Sequence, residues 1–129
     1  MPQHLGAVTV LVRDYDEARD YYTRILGFDL IEDAPLPDAK RWLLVAPPGA
    51  RETRLLLAKA AAPEQAARIG DQTGGRVFLF LHTDDFWRDY HAWSGRGVIF
   101  VRAPKVEPYG TVAVFRDLCG NLWDLIEPA

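Results

Sequence analysis

The chain has 129 residues, of which 49% are hydrophobic, 12% aromatic and 26% charged, and its formal net charge is −3. This length predicts a single domain that can bury a core without disulfides or a structural metal. The only cysteine, Cys119, excludes an internal disulfide scaffold, and the sequence lacks the Cys/His spacing of a zinc finger.

Charge and hydropathy also limit the partners and the location. Arginines and lysines are scattered without a basic run, so we expect no nucleic-acid partner. Residues 1–5 (MPQHL) have neither the basic start nor the apolar core of a signal peptide, and no window approaches the roughly 20 apolar residues of a membrane span. We therefore expect a cytoplasmic protein with no membrane partner.

The chain is predicted to begin with a strand and a helix. Residues 5–12 (LGAVTVLV) are β-branched and apolar, which is typical of a strand. Asp14 and Glu17 have the spacing of a capping box that opens a helix, and Gly27 is placed to end it. Between them, one apolar helical stripe contains Ala18, Tyr21, Tyr22, Ile25 and Leu26.

Three strands and a short helix complete the first half. The strands are predicted over residues 28–31, 41–46 and 52–60. Segment 32–40 contains two prolines and several charges, and is predicted to be a solvated connection. Segment 61–75 is predicted to be a short helix opened by Pro63 and followed by a linker.

The second half repeats this order of elements. Strand 76–83 precedes a helix that Asp84 or Asp85 can cap and that ends near Gly95 and Gly97. Its apolar positions are Phe86, Tyr90 and Trp93. Further strands are predicted over residues 98–102, 111–115 and 122–126.

A shift of 71 residues aligns the two halves, placing Asp14 on Asp85 and Tyr22 on Trp93. The sequence therefore predicts two tandem βαβββ modules within one domain over residues 1–129. Repeat one covers about residues 4–60, the linker 61–75, and repeat two 76–128.

The modules resemble the vicinal oxygen chelate superfamily, which includes glyoxalase I, bleomycin-resistance proteins and extradiol dioxygenases. The resemblance covers essentially the whole chain and rests on VTVLVRDYDEARDYYTRILGF at 8–28 and YGTVAVFRDLCGNLWDLIEP at 109–128. It implies an α+β fold whose curved mixed sheets surround a cavity. It also implies that chains often pair, and because a module of about 60 residues cannot cover its sheet alone, we expect a homodimer.

The resemblance also implies a site for one divalent metal, held by His, Gln or Glu on four strands. The matching positions are Ala7, Phe78, a position near Leu56, and Asp124 of the Gly-Asn motif. Only Asp124 carries a donor, because methyl, isobutyl and phenyl groups cannot replace the water shell of a metal ion. We expect no metal cofactor, with a divalent metal only as the alternative.

His82 and Asp124 are the candidate catalytic residues. Strand alternation places His82 on the face of Phe78 but roughly 13 Å from it, too far to replace it as a metal ligand. Asp124 shares a face with Leu122 and Ile126, where a carboxylate needs a ligand, an arginine or a water as partner. The competing interpretations are a core or rim histidine and a structural ion pair.

The predicted ligand pocket is lined by apolar and aromatic side chains with a few polar anchors. Its members are Ala7, Thr9, Trp42, Leu56, Phe78, Phe80, His82, Tyr109 and Asp124. Three arginines, Arg41, Arg54 and Arg102, can either neutralise an anionic ligand or be solvated at the strand ends.

The sequence is compatible with two main functions. The first is a small-molecule binding protein similar to bleomycin-resistance proteins, with its metal-ligand positions largely lost. The alternative is a glyoxalase-like lyase or dioxygenase-type enzyme with relocated metal ligands, or with His82 and Asp124 as a metal-free general acid and base. A partner-binding copy of the fold is a third possibility, for which the sequence offers no positive feature.

Overall fold

Two four-stranded mixed sheets, one in each half of the chain, form the framework. The computed structural model describes residues 2–129, and the chain divides into two compact units after Ile69. Within residues 2–129, no helix is long and apolar enough to cross a membrane.

Unit 1 ends at Ile69 and contains the first sheet. Its elements are β1 (Ala7–Val12), α1 (Tyr15–Asp20), a π-helical turn (Tyr21–Ile25), β2 (Asp29–Pro35), β3 (Arg41–Ala46), β4 (Arg54–Lys59) and α2 (Pro63–Ala66). The strand order is β1-β4-β3-β2, in which β1 runs parallel to β4 and the other neighbours are antiparallel.

Unit 2 begins at Gly70 and has the same topology. Its elements are β5 (Val77–His82), α3 (Phe86–Gly95), β6 (Ile99–Glu107), β7 (Gly110–Arg116) and β8 (Leu122–Pro128). The order β5-β8-β7-β6, again with a parallel first pair, confirms the α+β fold and the two repeated modules.

Each sheet buries one face under its helix. In β4, Leu55 and Leu57 are buried whereas Leu56 between them is half-buried, as strand alternation requires. Tyr22 and Trp93, aligned by the sequence repeat, are both buried core residues. We call the opposite side of each sheet the helix-distal face.

The predicted helix caps are confirmed. A side-chain oxygen of Asp14 accepts a hydrogen bond from the Glu17 N–H at 2.8 Å, and Asp85 accepts one from the Arg88 N–H at 3.1 Å. In addition, Glu127 on β8 accepts from the Phe86 N–H at 2.8 Å, which ties the start of α3 to the sheet.

The first helix differs from its prediction in its last turn. The Leu26 N–H donates to the Tyr21 carbonyl at 3.1 Å, so this turn is π-helical rather than α-helical. The apolar stripe specified the buried face but not the hydrogen-bond spacing. Gly27 then adopts a φ of +76°, the left-handed conformation expected of the residue that ends the helix.

The two edge strands β2 and β6 extend furthest beyond their predicted ends. β2 continues to Pro35 through a segment predicted to be a connection, and β6 continues past Pro104 to Glu107. An edge strand leaves one side of its backbone unpaired, so prolines and charged residues are compatible with it. The sheet register shifts on either side of Arg102, which accommodates the irregular pairing of β6.

Candidate ligand-binding site

Unit 1 contains a cavity of about 480 Å³ at one end of its sheet. The walls are formed by the start of α1, the β2–β3 hairpin, the beginning of β3, the second half of β4, and α2. The lining residues are Tyr15, Leu36, Asp38, Ala39, Lys40, Arg41, Trp42, Leu56, Ala58, Lys59, Ala60, Ala61 and Gln65. This volume suits a small organic molecule.

Trp42 supplies the accessible aromatic surface of this cavity. Its side chain on β3 is 39% exposed, although most large apolar residues of the sheet are buried. Leu56 lies on the neighbouring strand β4, in register with Thr9 of β1 and Leu44 of β3. An exposed indole beside aliphatic side chains provides a surface on which a flat apolar group can stack.

Arg41 fixes one wall of the cavity through an ion-pair network. Its guanidinium donates to Asp16 at 2.7 Å and to Asp33 at 2.8 Å, and lies 5.1 Å from the ring centre of Tyr15. Arg19 adds a contact of 3.3 Å to Asp33. Because Arg41 is held by two carboxylates, it is a positioning residue and not a free anion site.

The same network sets the ionisation of its carboxyl groups. The hydrogen bond from Arg41 holds the pKa of Asp33 below its ordinary value of 3.8, and it lowers the pKa of Asp16 in the same way. In return, the two carboxylates raise the pKa of Arg41.

Substituting Arg41→Gln is expected to weaken the acid dependence of stability. The lowered pKa of Asp33 means that its contribution to the free energy of unfolding is present at neutral pH and is lost as the pH falls below about 4. Urea unfolding midpoints measured between neutral and acidic pH should therefore fall less steeply in Arg41→Gln. The control Arg51→Gln removes an exposed charge and should keep the wild-type slope. Equal slopes in all three proteins would contradict this assignment.

The helix-distal face of unit 2 carries a row of four side chains from four strands. Sheet register aligns Phe80 with Asp124, Asp124 with Val114, and Val114 with Arg102. Phe80 is 63% exposed. Phe80 and Arg102 both contribute to a cavity of about 380 Å³ within this unit, together with Gly75, Arg76, Val77 and Leu122.

Asp124 on this face has a pKa that is changed by its surroundings. Burial raises its pKa above the ordinary 3.8, and the positive charge of Arg102 opposes that rise. His82 is exposed and lies in register with Ile126, two residues along β8 from Asp124. Such diagonal neighbours are roughly 7–8 Å apart. The two candidate catalytic residues therefore share a face.

A β-bulge at Phe78 changes the alternation expected for β5. Val77 is in register with Leu122 and Leu79 with Trp123, which leaves Phe78 as an extra residue without a partner on β8. In agreement, Val77 and Phe80 line the same cavity despite their odd spacing. The alternation that placed Phe78 and His82 on one face therefore holds only from Leu79 onward.

The Gly-Asn motif is organised by a buried carboxylate, Asp117. One oxygen accepts from the backbone N–H groups of Cys119, Gly120 and Asn121 at 2.9–3.1 Å. The other accepts from the Asn121 side-chain amide and the Trp123 indole, both at 3.1 Å. Asp117 thus holds the turn that leads into β8 and so fixes where Asp124 lies.

Comparison with known proteins identifies the family. The model of the Glyoxalase/Bleomycin resistance protein/Dioxygenase superfamily matches residues 4–125. The chain belongs to this superfamily. A Shewanella frigidimarina (strain NCIMB 400) protein of uncharacterised function is 56% identical over 98% of this chain and 95% of its own length.

Two solved structures are also similar to this superfamily member. TnmS3, described as an antibiotic binding protein from Streptomyces sp. CB03234, is 36% identical with a TM-score of 0.79, covering 99% of this chain and 98% of its own. UcmS2 is 34% identical with a TM-score of 0.84, covering 98% of this chain and 99% of its own.

The positions at which glyoxalase-type relatives are expected to hold a metal do not form a donor set here. Ala7, Leu56 and Phe78 offer only hydrocarbon side chains, and Asp124 is the single donor. Within residues 2–129, no group of three or more His, Cys, Asp or Glu side chains is placed to hold a metal ion. These residues do not offer the donors that a bound metal needs.

The structure groups some of the predicted pocket residues and separates others. Trp42 and Leu56 line the unit 1 cavity, with Thr9 in register beside Leu56. Phe80 lines the unit 2 cavity next to Asp124. Tyr109 is exposed at the tip of the β6–β7 hairpin and lines neither cavity.

Several lining residues were missed by the sequence analysis. The hairpin residues from Leu36 to Lys40 form a wall of the unit 1 cavity, although their composition predicted a solvated connection. Tyr15 also lines this cavity and was not among the predicted pocket residues. Arg76 and Leu122 were predicted only as strand residues. The hairpin was missed because β2 is longer than predicted, and this extra length carries the hairpin to the cavity.

Proposed function

We propose that this chain is a metal-independent small-molecule binding protein, whose ligand has a flat apolar part that lies against Trp42 in the unit 1 cavity. The observation that carries the proposal is the cavity itself, where an accessible indole lies beside Leu56 and Ala58. Polar groups at its rim, including Lys40 and Gln65, supply orientation without enclosing the cavity.

Family membership and the composition of the helix-distal faces support binding over metal chemistry. The superfamily includes bleomycin-resistance proteins, and the relative TnmS3 is described as an antibiotic binding protein. Hydrocarbon side chains at Ala7, Leu56 and Phe78 occupy the positions where a metal-dependent relative needs donors. We infer from this that the chain uses its site to hold a ligand.

The proposal is tested by titration with naphthylbutanamide, a neutral aromatic probe, on protein treated with EDTA. We expect saturable binding that Trp42→Ala weakens about tenfold or more, because the stacking surface is lost. The matched control is Trp87→Ala, since Trp87 is 46% exposed but lies on α3, outside the cavity. Absent binding, or equal weakening by both substitutions, would refute the proposed site.

Elemental analysis tests the metal-independent part separately. After incubation with nickel, zinc, manganese and iron and removal of excess ions, the protein should retain no stoichiometric metal. One tightly held ion per chain would overturn this part of the proposal.

A second candidate is metal-free acid–base catalysis on the helix-distal face of unit 2. The raised pKa of Asp124, caused by burial, favours it, because a carboxyl with a raised pKa holds its proton to higher pH than an ordinary carboxyl, as a general acid must. Such an activity would be lost in Asp124→Asn and would leave the binding affinity of the unit 1 cavity unchanged.

The predicted homodimer belongs to this proposal. Strands β2 and β6 are sheet edges, and Ile99 and Val106 on β6 are exposed apolar residues in the single chain. A second copy would cover such residues. Sedimentation equilibrium at micromolar concentration distinguishes one chain from two.

A further inference from the structure

Arg54 is a charged residue on the helix-distal face of unit 1 that has an unsatisfied buried nitrogen. It begins β4, in register with Ala7 of β1. Its Nε is buried and has no hydrogen-bond partner among the described residues, whereas the side chain as a whole is half-buried. A buried donor left unpaired costs free energy, so this guanidinium is suited to a partner that the chain itself does not supply.

Other arginines of the chain form ion pairs with carboxylates of the same chain. Arg19 and Arg41 share the carboxylates of Asp16 and Asp33, and Arg88 pairs with Asp84 at 2.9 Å. Arg54 forms no such ion pair within residues 2–129. Of the three arginines that the sequence offered as anion-binding candidates, Arg41 is held by internal carboxylates, and Arg54 keeps its donors available beside the proposed site.

The position of Arg54 relates it to the Trp42 cavity. Arg54, Leu56 and Ala58 alternate along β4 on one face, and the last two line the cavity. Two residues along a strand span roughly 7 Å, so the guanidinium lies within reach of a molecule that extends out of the cavity along the sheet. Ala7, the neighbour of Arg54 on β1, is exposed and small, and leaves space on that side.

The donor geometry selects the chemistry of the partner. A guanidinium binds a planar carboxylate through two parallel N–H···O bonds, and its Nε–H is one of the donors that can take part. The uncompensated positive charge also favours an anion over a neutral carbonyl.

We propose that Arg54 binds the carboxylate of an aromatic acid whose apolar ring system occupies the Trp42 cavity. This inference rests on the proposed function and specifies its ligand class. It places a fixed positive charge of the protein close to Ala7 and Leu56, the positions at which a metal-dependent relative is expected to hold its cation.

The test compares naphthylbutanoate with naphthylbutanamide, which share a ring and a chain and differ in charge. Wild-type protein is expected to bind the acid about tenfold or more tightly than the amide, the size of one or two charge-assisted hydrogen bonds. In Arg54→Gln this preference should fall to about one, with amide affinity unchanged. Arg54→Lys should retain part of the preference, because a lysine keeps the charge without the planar fork.

Arg51→Gln is the matched control, since it removes an exposed arginine three positions before Arg54 and outside the sheet. It should keep the wild-type preference. Equal binding of acid and amide by wild-type protein, or an equal loss of preference in Arg51→Gln and Arg54→Gln, overturns the inference and leaves the proposed function standing. If wild-type protein binds neither the acid nor the amide, both the inference and the proposed function are overturned.

A stability measurement gives a second, ligand-free readout. Arg54→Met keeps an unbranched side chain as far as the position of Nε and removes the unsatisfied Nε donor, so in the absence of ligand its Tm should rise by about 2–4 °C. A Tm that falls by a similar amount would show that the guanidinium already has a stabilising partner, and would overturn the inference.

Discussion

Replacing Asp117 with alanine is expected to lower the free energy of unfolding by about 4 kcal/mol or more. The Asp117 side chain accepts five hydrogen bonds and is 6% exposed. Alanine leaves those donors without their acceptor in a region where water has little access. Denaturant unfolding followed by tryptophan fluorescence measures the loss.

Two further variants separate the carboxylate from simple loss of a side chain. Asp117→Asn retains one acceptor oxygen but presents an amide to the Asn121 and Trp123 donors, so its stability should lie between wild type and Asp117→Ala. Asp84→Ala removes an exposed carboxylate whose ion pair is with Arg88, and should leave stability nearly unchanged. If Asp84→Ala lowered the free energy of unfolding as much as Asp117→Ala, the assignment of the large effect to the buried acceptor would be wrong.

Gly70→Ala is expected to destabilise the protein by about 3 kcal/mol, because this glycine combines a left-handed backbone with a close neighbour. Its φ is +75°, and a Cβ built at this position would overlap the backbone carbonyl of Cys119. A backbone group cannot move aside as a flexible side chain can, so the turn between β7 and β8 would have to shift.

Gly74→Ala is the matched control for this prediction. Gly74 has a similar φ of +68°, but a Cβ there meets nothing within 4 Å. It should therefore show only the left-handed penalty of roughly 1 kcal/mol. Thermal and urea unfolding measure the loss of stability in each variant. Equal losses would show that the cost of Gly70→Ala comes from the left-handed backbone and not from the contact with Cys119.

Much of the fold could be predicted because its determinants are local. Asp14 and Asp85 cap helices at equivalent points, and the alternation of residues such as Leu55 and Leu57 marks the buried face of a strand. The lengths of the edge strands could not be predicted in this way. Pro104 is incompatible with a central strand but not with an edge, and position in the sheet is not encoded within a short window.

The candidate site was less predictable, because it depends on register and on contacts between distant segments. Leu56 was predicted from the family resemblance and Trp42 as an aromatic residue near a strand end, and both line one cavity. That Arg41 is paired and Arg54 is not depends on where Asp16 and Asp33 lie in space, and no periodicity contains this information. The bulge at Phe78 likewise follows from pairing with β8 and not from the composition of β5.

The parallel pairing of β5 with β8 also has a consequence for the order in which unit 2 folds. β8 lies between β5 and β7, so it joins the strand that precedes α3 to the hairpin of β6 and β7. During synthesis, β5 has no partner in its sheet until residues 122–128 leave the ribosome, just as β1 has none until β4 is made. In either unit, the apolar first strand is therefore open to aggregation until the last strand of that unit has been made.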